Sequence, residues 1–509
     1  MAGHGAPRTR TRLVVPTRAD SLLSRFTELV GGPLGRRTAP GVVSPGFFTV
    51  DRVLVLLTVV AALVALAIKS FCRVQGWGGA GAYYGTCYSD FPTLLGGPAF
   101  TGGSLPVFTP DVRFEYPVLL GVVAALTALA VPGSGGDAQR ALGYFDLNSF
   151  LVVALWIGTV LVTARLAHRR KWDAAMVALA PGIITAGFIN WDLWAVFALS
   201  LALLCFARRR PVWAGVWIGV GASFKFYPLL LLIAVLILAI RSGTIRTFGR
   251  TVLGCCAALL AVNVPFALFN PGAFRYFFDF AFSRGAGFSS LWESWNLVAA
   301  RLGQPALSAT QVNVAAVLCF AVAVLLIATL ALAVPRRPRL AQVLFLLVAA
   351  FILCNKVYSP QFVLWLIPLA ALARPVWRDF LLWQAAEVLH WAAIWMYLGA
   401  GASGSGPQHN IDVPYYVCAV LLHMGATFYL MVRVAWDMMH PDDDAVRAGG
   451  VDDPQGGVFD RSPDRLRLQP RRPRTVPPAL PDPGPLNSAS PNSDTPNSEK
   501  PKEEAEAQP

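Results

Sequence analysis

The chain has 509 residues, 55% hydrophobic and only 14% charged, where an average soluble domain carries about 25% charged residues. Runs such as Val53–Ile68, Val312–Val334 and Tyr415–Val432 are long enough, or nearly so, to cross about 30 Å of hydrocarbon at 1.5 Å per residue, which excludes a soluble globular class. The formal charge of +13 does not indicate nucleic acid, because the basic residues cluster between the apolar runs (168–171, 208–210, 336–337) in a positive-inside pattern suited to a lipid bilayer.

Residues 1–45 are rich in Arg, Gly, Pro and Thr, lack helical apolar periodicity, and are expected to form a disordered basic cytoplasmic arm. The run Val53–Ile68 lies too deep in the chain for a cleaved signal peptide and reads as a retained anchor running outward. The outer loop from about 70 to 114 holds Cys72 and Cys87, which could close a disulfide over a site in an oxidising compartment. The other cysteines lie mostly in apolar runs as small hydrophobes. Tyr116–Val131 is short, and the charge rule is better satisfied if it is a re-entrant or juxtamembrane helix. Leu147–Leu166 then runs inward, Ala174–Phe188 outward and Leu193–Ala207 inward, leaving 189–192 at the outer face.

Val212–Ile240 begins and ends beside basic clusters, and Pro228 interrupts it, so it reads as a hairpin of two short helices with Lys225 near the outer tip. Thr251–Phe269 leads to a second outer loop, 270–311; Val312–Val334 returns and Leu340–Leu353 goes out to Asn355–Gln361. Phe362–Ala373, Phe380–Leu398 and Val413–Val432 complete an all-α polytopic domain over 46–435, with about twelve transmembrane passages. Residues 436–509, rich in Pro, Ser and Asp, are expected to be a disordered cytoplasmic tail.

Ionisable groups are costly in hydrocarbon, roughly 2.5–3.5 kcal/mol at a helix centre, so those that this topology gathers at one outer face need a reason. Asp90, in Cys87-Tyr88-Ser89-Asp90-Phe91-Pro92, is the leading catalytic base for transfer of a sugar from a phosphate carrier; a helix cap at Ser89 or Asp90 is the structural alternative. Lys225 and Lys356 each lie in a break between apolar segments and are the leading phosphate ligands, against simple snorkelling to the headgroups. Arg275 and Arg284, in the second outer loop, are weaker phosphate candidates. Tyr88, Glu115, Tyr116, Asn190, Asp192, Tyr227, Asn355, Tyr358 and Gln361 are substrate-binding candidates; Glu115 also suits a helix start, and Asn190 and Asp192 a turn. Trp77, Trp292 and Trp295 are possible sugar platforms or members of an interfacial belt. Glu387, His390 and His423 fall within late spans as paired polar groups. No cofactor is expected; no metal motif is present, and a divalent site joining Asp90 to another outer acid stays open.

These pieces, in order, resemble the GT-C class of integral membrane glycosyltransferases and, within it, glycosyltransferase family 87, which includes actinobacterial polyprenyl-phosphate-mannose-dependent α-1,2-mannosyltransferases. The resemblance rests on Tyr88-Ser89-Asp90, Tyr116-Pro117, the block from Arg208 to Pro228 and the run Asn355–Gln361, and covers roughly 50–435. It implies a sugar donor on polyprenyl phosphate, a glycolipid or glycan acceptor of the cell envelope, inversion, catalysis at the extracytoplasmic face of the cell membrane with both termini cytoplasmic, and Asp90 as the base. A transporter or flippase for a lipid-linked sugar is the competing class; it would place its site near the midplane between internal repeats, and no obvious repeat is present.

Overall fold

Helices form wherever the apolar runs allow, and every regular element among the described residues is helical. The computed structural model describes residues 13–15, 19–31, 47–133, 137–403 and 411–468. Much of the expected amino-terminal arm and the tail from 469 onward lie outside the described residues.

Helix α1 is Ser21–Gly31 and α2 is Val50–Ile68, whose start is capped by the Thr49 hydroxyl accepting from Arg52 N. The segment after α2 folds into three short helices, α3 (Ser70–Gln75), α4 (Gly81–Tyr84) and α5 (Asp90–Leu95). Helix α6, Val118–Ala130, has 13 residues and extends only about 20 Å, less than the hydrocarbon thickness. Helix α7, Ala138–Leu166, has 29 residues. The single span expected over Ala174–Phe188 does not form. A 3₁₀ segment, His168–Ala174, leads instead to α8 (Ala175–Ala178) and α9 (Pro181–Ala186). The break follows from Pro181, which favours extended backbone at Ala180 and restarts a helix at its own position.

Helix α10 is Asp192–Ala207 and α11 is Pro211–Phe224; after extended backbone at Lys225 and a turn at Tyr227–Leu229, α12 runs over Leu230–Ser242. Helix α13 is Ile245–Phe269. The segment between α13 and the next long helix contains α14 (Pro271–Ser283) and α15 (Leu291–Arg301). The remaining helices are α16 (Ala309–Ala333), α17 (Leu340–Cys354), α18 (Val363–Ala373), α19 (Trp377–Ser403) and α20 (Val413–Met439). Of these, α2, α7, α13, α16 and α20 are long and apolar enough to cross a membrane. Helices α17 and α18 are buried along nearly their whole length, whereas α13 and α16 expose Leu253, Leu260, Leu318 and Leu325, an outer surface that suits lipid.

Two features hold this bundle together. In one, α11 lies hard against α13: a Cβ added at Gly215 would sit 2.0 Å from Thr251 O, and one at Gly254 would sit 2.1 Å from Val212 O. Gly215 and Gly219 form the small-xxx-small spacing that lets two helix backbones approach closely, and α11 carries Lys225 at its end. In the second, residues 440–468 do not behave as a solvated tail. Buried Arg339 is held by both oxygens of Asp444 at 2.7 and 3.0 Å, Arg241 by Asp464 at 2.9 Å, and Arg336 and Arg337 by Asp452. The aspartates that made this segment look disordered are the counter-ions of the basic clusters. The arm is corrected in part as well: Asp20 accepts from Leu22 N and Leu23 N at the start of α1 and from Trp377 N at 2.9 Å.

Thermal melts in detergent test both features. Gly215→Val is expected to cost about 1–3 kcal/mol or more through overpacking. Truncation after Leu468 should leave the melting point unchanged, whereas Asp444→Ala, which leaves Arg339 unpaired, should cost about 3–5 kcal/mol.

Candidate active site

The segment that follows α2, the break after α11, the end of α14 and the segment before α18 enclose a cavity of about 500 Å³. Of the residues singled out in the sequence, Tyr88, Asp90, Glu115, Tyr116, Lys225, Tyr227, Arg284, Asn355, Lys356 and Gln361 line it. Arg275, Asn190, Asp192 and Tyr358 do not.

Asp90 is the first residue of α5, but the cap is Ser89, whose hydroxyl accepts from Phe91 N at 3.3 Å. Capping therefore does not occupy the Asp90 carboxylate. Its Oδ2 accepts from the Tyr116 hydroxyl at 2.8 Å, and Tyr88 lines the cavity beside it. Burial raises its pKa above the ordinary carboxylate range, while the Tyr116 and Tyr88 hydroxyls and the charge of Lys225 hold the rise back. The segment is anchored on three sides: Asp90 N donates to Ile189 O at 2.7 Å, the buried Lys69 Nζ donates to Tyr88 O at 2.8 Å, and a disulfide joins Cys72 to Cys87. Burial pushes the Lys69 pKa down to about 7, against the charge of Asp90. Sequence reasoning passed over Lys69; the available signal was a lysine closing the carboxy-terminal end of the first apolar run.

Lys225 pairs with the fully buried Asp192 at 3.0 Å and sits 4.6 Å from the centre of the Tyr116 ring. Asn190 Oδ1 in turn accepts from Asp192 N at 3.0 Å. Asn190 and Asp192 thus stand behind Lys225 and fix it, and do not reach the cavity themselves. Lys356 also differs from its expected use: its ammonium donates to Ala281 O, Arg284 O and Asn313 Oδ1, so all three protons are taken. It ties the end of α14 to α16 because those carbonyls have no partner within their own helix. Burial and the nearby Arg284 charge lower its pKa. Arg284 lines the cavity with no carboxylate at ion-pair distance among the described residues. Burial raises the Glu115 pKa, with Arg284 and Lys225 acting against the rise.

Tyr358 turns away from the cavity, its hydroxyl 3.0 Å from both Glu387 Oε1 and Thr427 Oγ1. Glu387, His390 and His423 bring three potential ligand atoms within 4.8 Å of one another. The two imidazoles, however, stack 3.7 Å apart at 3°, so their in-plane lone pairs run parallel and do not converge on one ion. The tryptophans considered as platforms lie elsewhere: Trp77 packs on Phe145, Trp292 donates to Cys354 O and Trp295 is exposed. Trp365, stacked on Tyr227 at 4.3 Å, and Trp395 line the cavity in their place.

Residues 103–355 match the family model of glycosyltransferase family 87. The chain belongs to this family. None of the curated proteins compared with it matches. The family 87 segment contains Glu115, Tyr116, Lys225 and Arg284, while Asp90 precedes it and Lys356 follows it. With its apolar helices, the chain is a membrane glycosyltransferase of family 87.

The Lys225–Asp192 pair is open to a double-mutant cycle read by melting temperature. Lys225→Met leaves a buried carboxylate unpaired and should cost about 3–5 kcal/mol, and adding Asp192→Leu should restore most of the loss.

Proposed function

We propose that this cavity transfers mannose from polyprenyl-phosphate mannose to a hydroxyl of a cell-envelope glycolipid or glycan, with inversion and with Asp90 as general base. One observation carries the reading: a carboxylate with a raised pKa, held by Tyr116, shares a single cavity with the cations Lys225 and Arg284. The acceptor hydroxyl gives its proton to Asp90, and its oxygen attacks the anomeric carbon from the face opposite the phosphate. The new glycosidic bond forms as the bond from that carbon to the phosphate oxygen breaks, and polyprenyl phosphate leaves with the electron pair. Its charge falls to Lys225 and Arg284, and Lys356 acts by holding the backbone that carries Arg284. A positioned base contributes roughly a hundred- to ten-thousand-fold to such a step. Burial favours this role, since a carboxylate with a higher pKa is a stronger base.

The reading includes the topology. It takes about twelve passages, with short or broken helices such as α6, α11 and α12 at the outer side, a cavity at the extracytoplasmic face and both termini in the cytoplasm, supported by the basic clusters between the apolar runs. Membrane-spanning residues 46–435 form the catalytic domain, and the packed segment to 468 closes its cytoplasmic end.

Asp90→Asn is expected to lower transfer by at least a hundredfold while leaving the melting point near that of the parent, measured with labelled polyprenyl-phosphate sugars and envelope lipid extract; transfer at the parent rate would end the assignment. The reaction needs the charged carboxylate, so the rate should rise with pH through the raised pKa of Asp90 and be lost below it. The Tyr116 hydroxyl stabilises that charged form. Tyr116→Phe should therefore move the acid limb of the pH–rate profile to higher pH, and a limb that stays put or moves down contradicts the account.

A further inference from the structure

The cavity divides by chemistry around Asp90. Through Tyr116, the carboxylate connects to Lys225, Glu115 and Arg284, the charged side that suits a phosphate. Through Tyr88, it connects to a different group. The Tyr83 and Tyr88 rings stack at 5.2 Å and 12°, and both pack on Trp395 of α19, at 5.9 and 5.3 Å. All three line the cavity, and Ile394 and Leu398 continue the same wall. No cation lies over any of these rings among the described residues.

The construction of this wall is specific. Tyr83 lies inside the loop closed by the Cys72–Cys87 disulfide, and Tyr88 follows it directly. The neighbouring Tyr84 packs against Gly399 of α19, where a Cβ would meet its ring at 2.6 Å, and its hydroxyl lies 3.0 Å from Ser403 Oγ. These contacts hold α4 on α19 and set the stack. Tyr83 and Tyr88 keep part of their surface open, whereas Trp395 is 3% exposed and backs them. The Trp395 indole N–H is buried with no protein partner, a donor without an acceptor in a wall that is otherwise well packed.

Building on the transferase reading, we propose that Tyr83 and Tyr88, backed by Trp395, form the acceptor subsite, and that it takes a pyranose ring. A sugar presents an apolar face of C–H groups that lies flat on aromatic rings and a rim of hydroxyls that accept and donate hydrogen bonds. The ring wall meets the first need, and the Asp90 carboxylate on the same cavity accepts from the hydroxyl rim. An acceptor stacked there has its hydroxyls beside the carboxylate that must take the proton, while the donor phosphate occupies the charged side. The acceptor is thereby a glycan or the sugar headgroup of a glycolipid, and a non-sugar alcohol is a poor substrate.

The test uses the full-length protein in nanodiscs, polyprenyl-phosphate mannose as donor, and methyl mannoside, methyl glucoside and a simple polyol as acceptor probes. The parent should transfer to a methyl glycoside in preference to the polyol. Tyr83→Leu and Trp395→Leu should each raise the glycoside KM about three- to tenfold, with the donor KM changed by less than twofold, and Tyr83→Phe should restore the parent value. An unchanged glycoside KM in both leucine variants, an equal rise in donor KM, or equal use of the polyol and the glycosides by the parent overturns the subsite. Should neither glycoside act as acceptor, saturation-transfer NMR reads their binding to the parent, and absence of contact there overturns it too. Failure of the transferase reading itself looks different: the parent then leaves the donor intact or passes its sugar only to water.

Discussion

An unpaired charge in or beside hydrocarbon is expensive, and the placement of charge in this protein follows from that constraint. At one end of the bundle, the arginines are answered by aspartates of the segment that follows α20. At the other end, Lys225 is answered by Asp192, and Lys356 by backbone carbonyls and Asn313. Asp90 and Arg284, with no ion-pair partner among the described residues, face one cavity. The broken helices serve the same end. Backbone leaves the helix at Lys225 and at 355–359, where the freed polar groups line a cavity and do not meet lipid.

Much of this was legible in the sequence because hydropathy and charge act locally. The hairpin at Lys225, the short helix after Tyr116 and the capped start at Ser89–Asp90 follow from proline positions, apolar run lengths and cap residues. The irregular path through 168–186 was missed because an apolar run of the right length hides the effect of Pro181. The folded segment 440–468 was missed for a different reason. Its composition is that of a solvated chain, and only the arginines far away in sequence turn its aspartates into buried partners. Composition reports what a segment would do alone, and this one folds only against the rest.

The site shows the same division. Sequence position identified which charged residues gather, but the role of each depends on what its polar atoms touch. Lys225 and Lys356 look alike on paper, each beside a tyrosine near a proline. One pairs with a carboxylate and contacts the Tyr116 ring, while the other has every proton committed to holding α14. Trp395 carried no local signal at all, since it lies in an ordinary-looking run of α19 and joins the site only through packing against the disulfide-closed loop.

The most direct examination of the account is a cryo-EM structure in nanodiscs with a non-transferable polyprenyl-phosphonate sugar bound. The account predicts the phosphonate at ion-pair distance from Lys225 and Arg284, with the anomeric carbon turned toward Asp90 across a gap wide enough for an acceptor hydroxyl. A headgroup bound outside this cavity, or one whose anomeric carbon faces away from the Asp90 carboxylate, would contradict it.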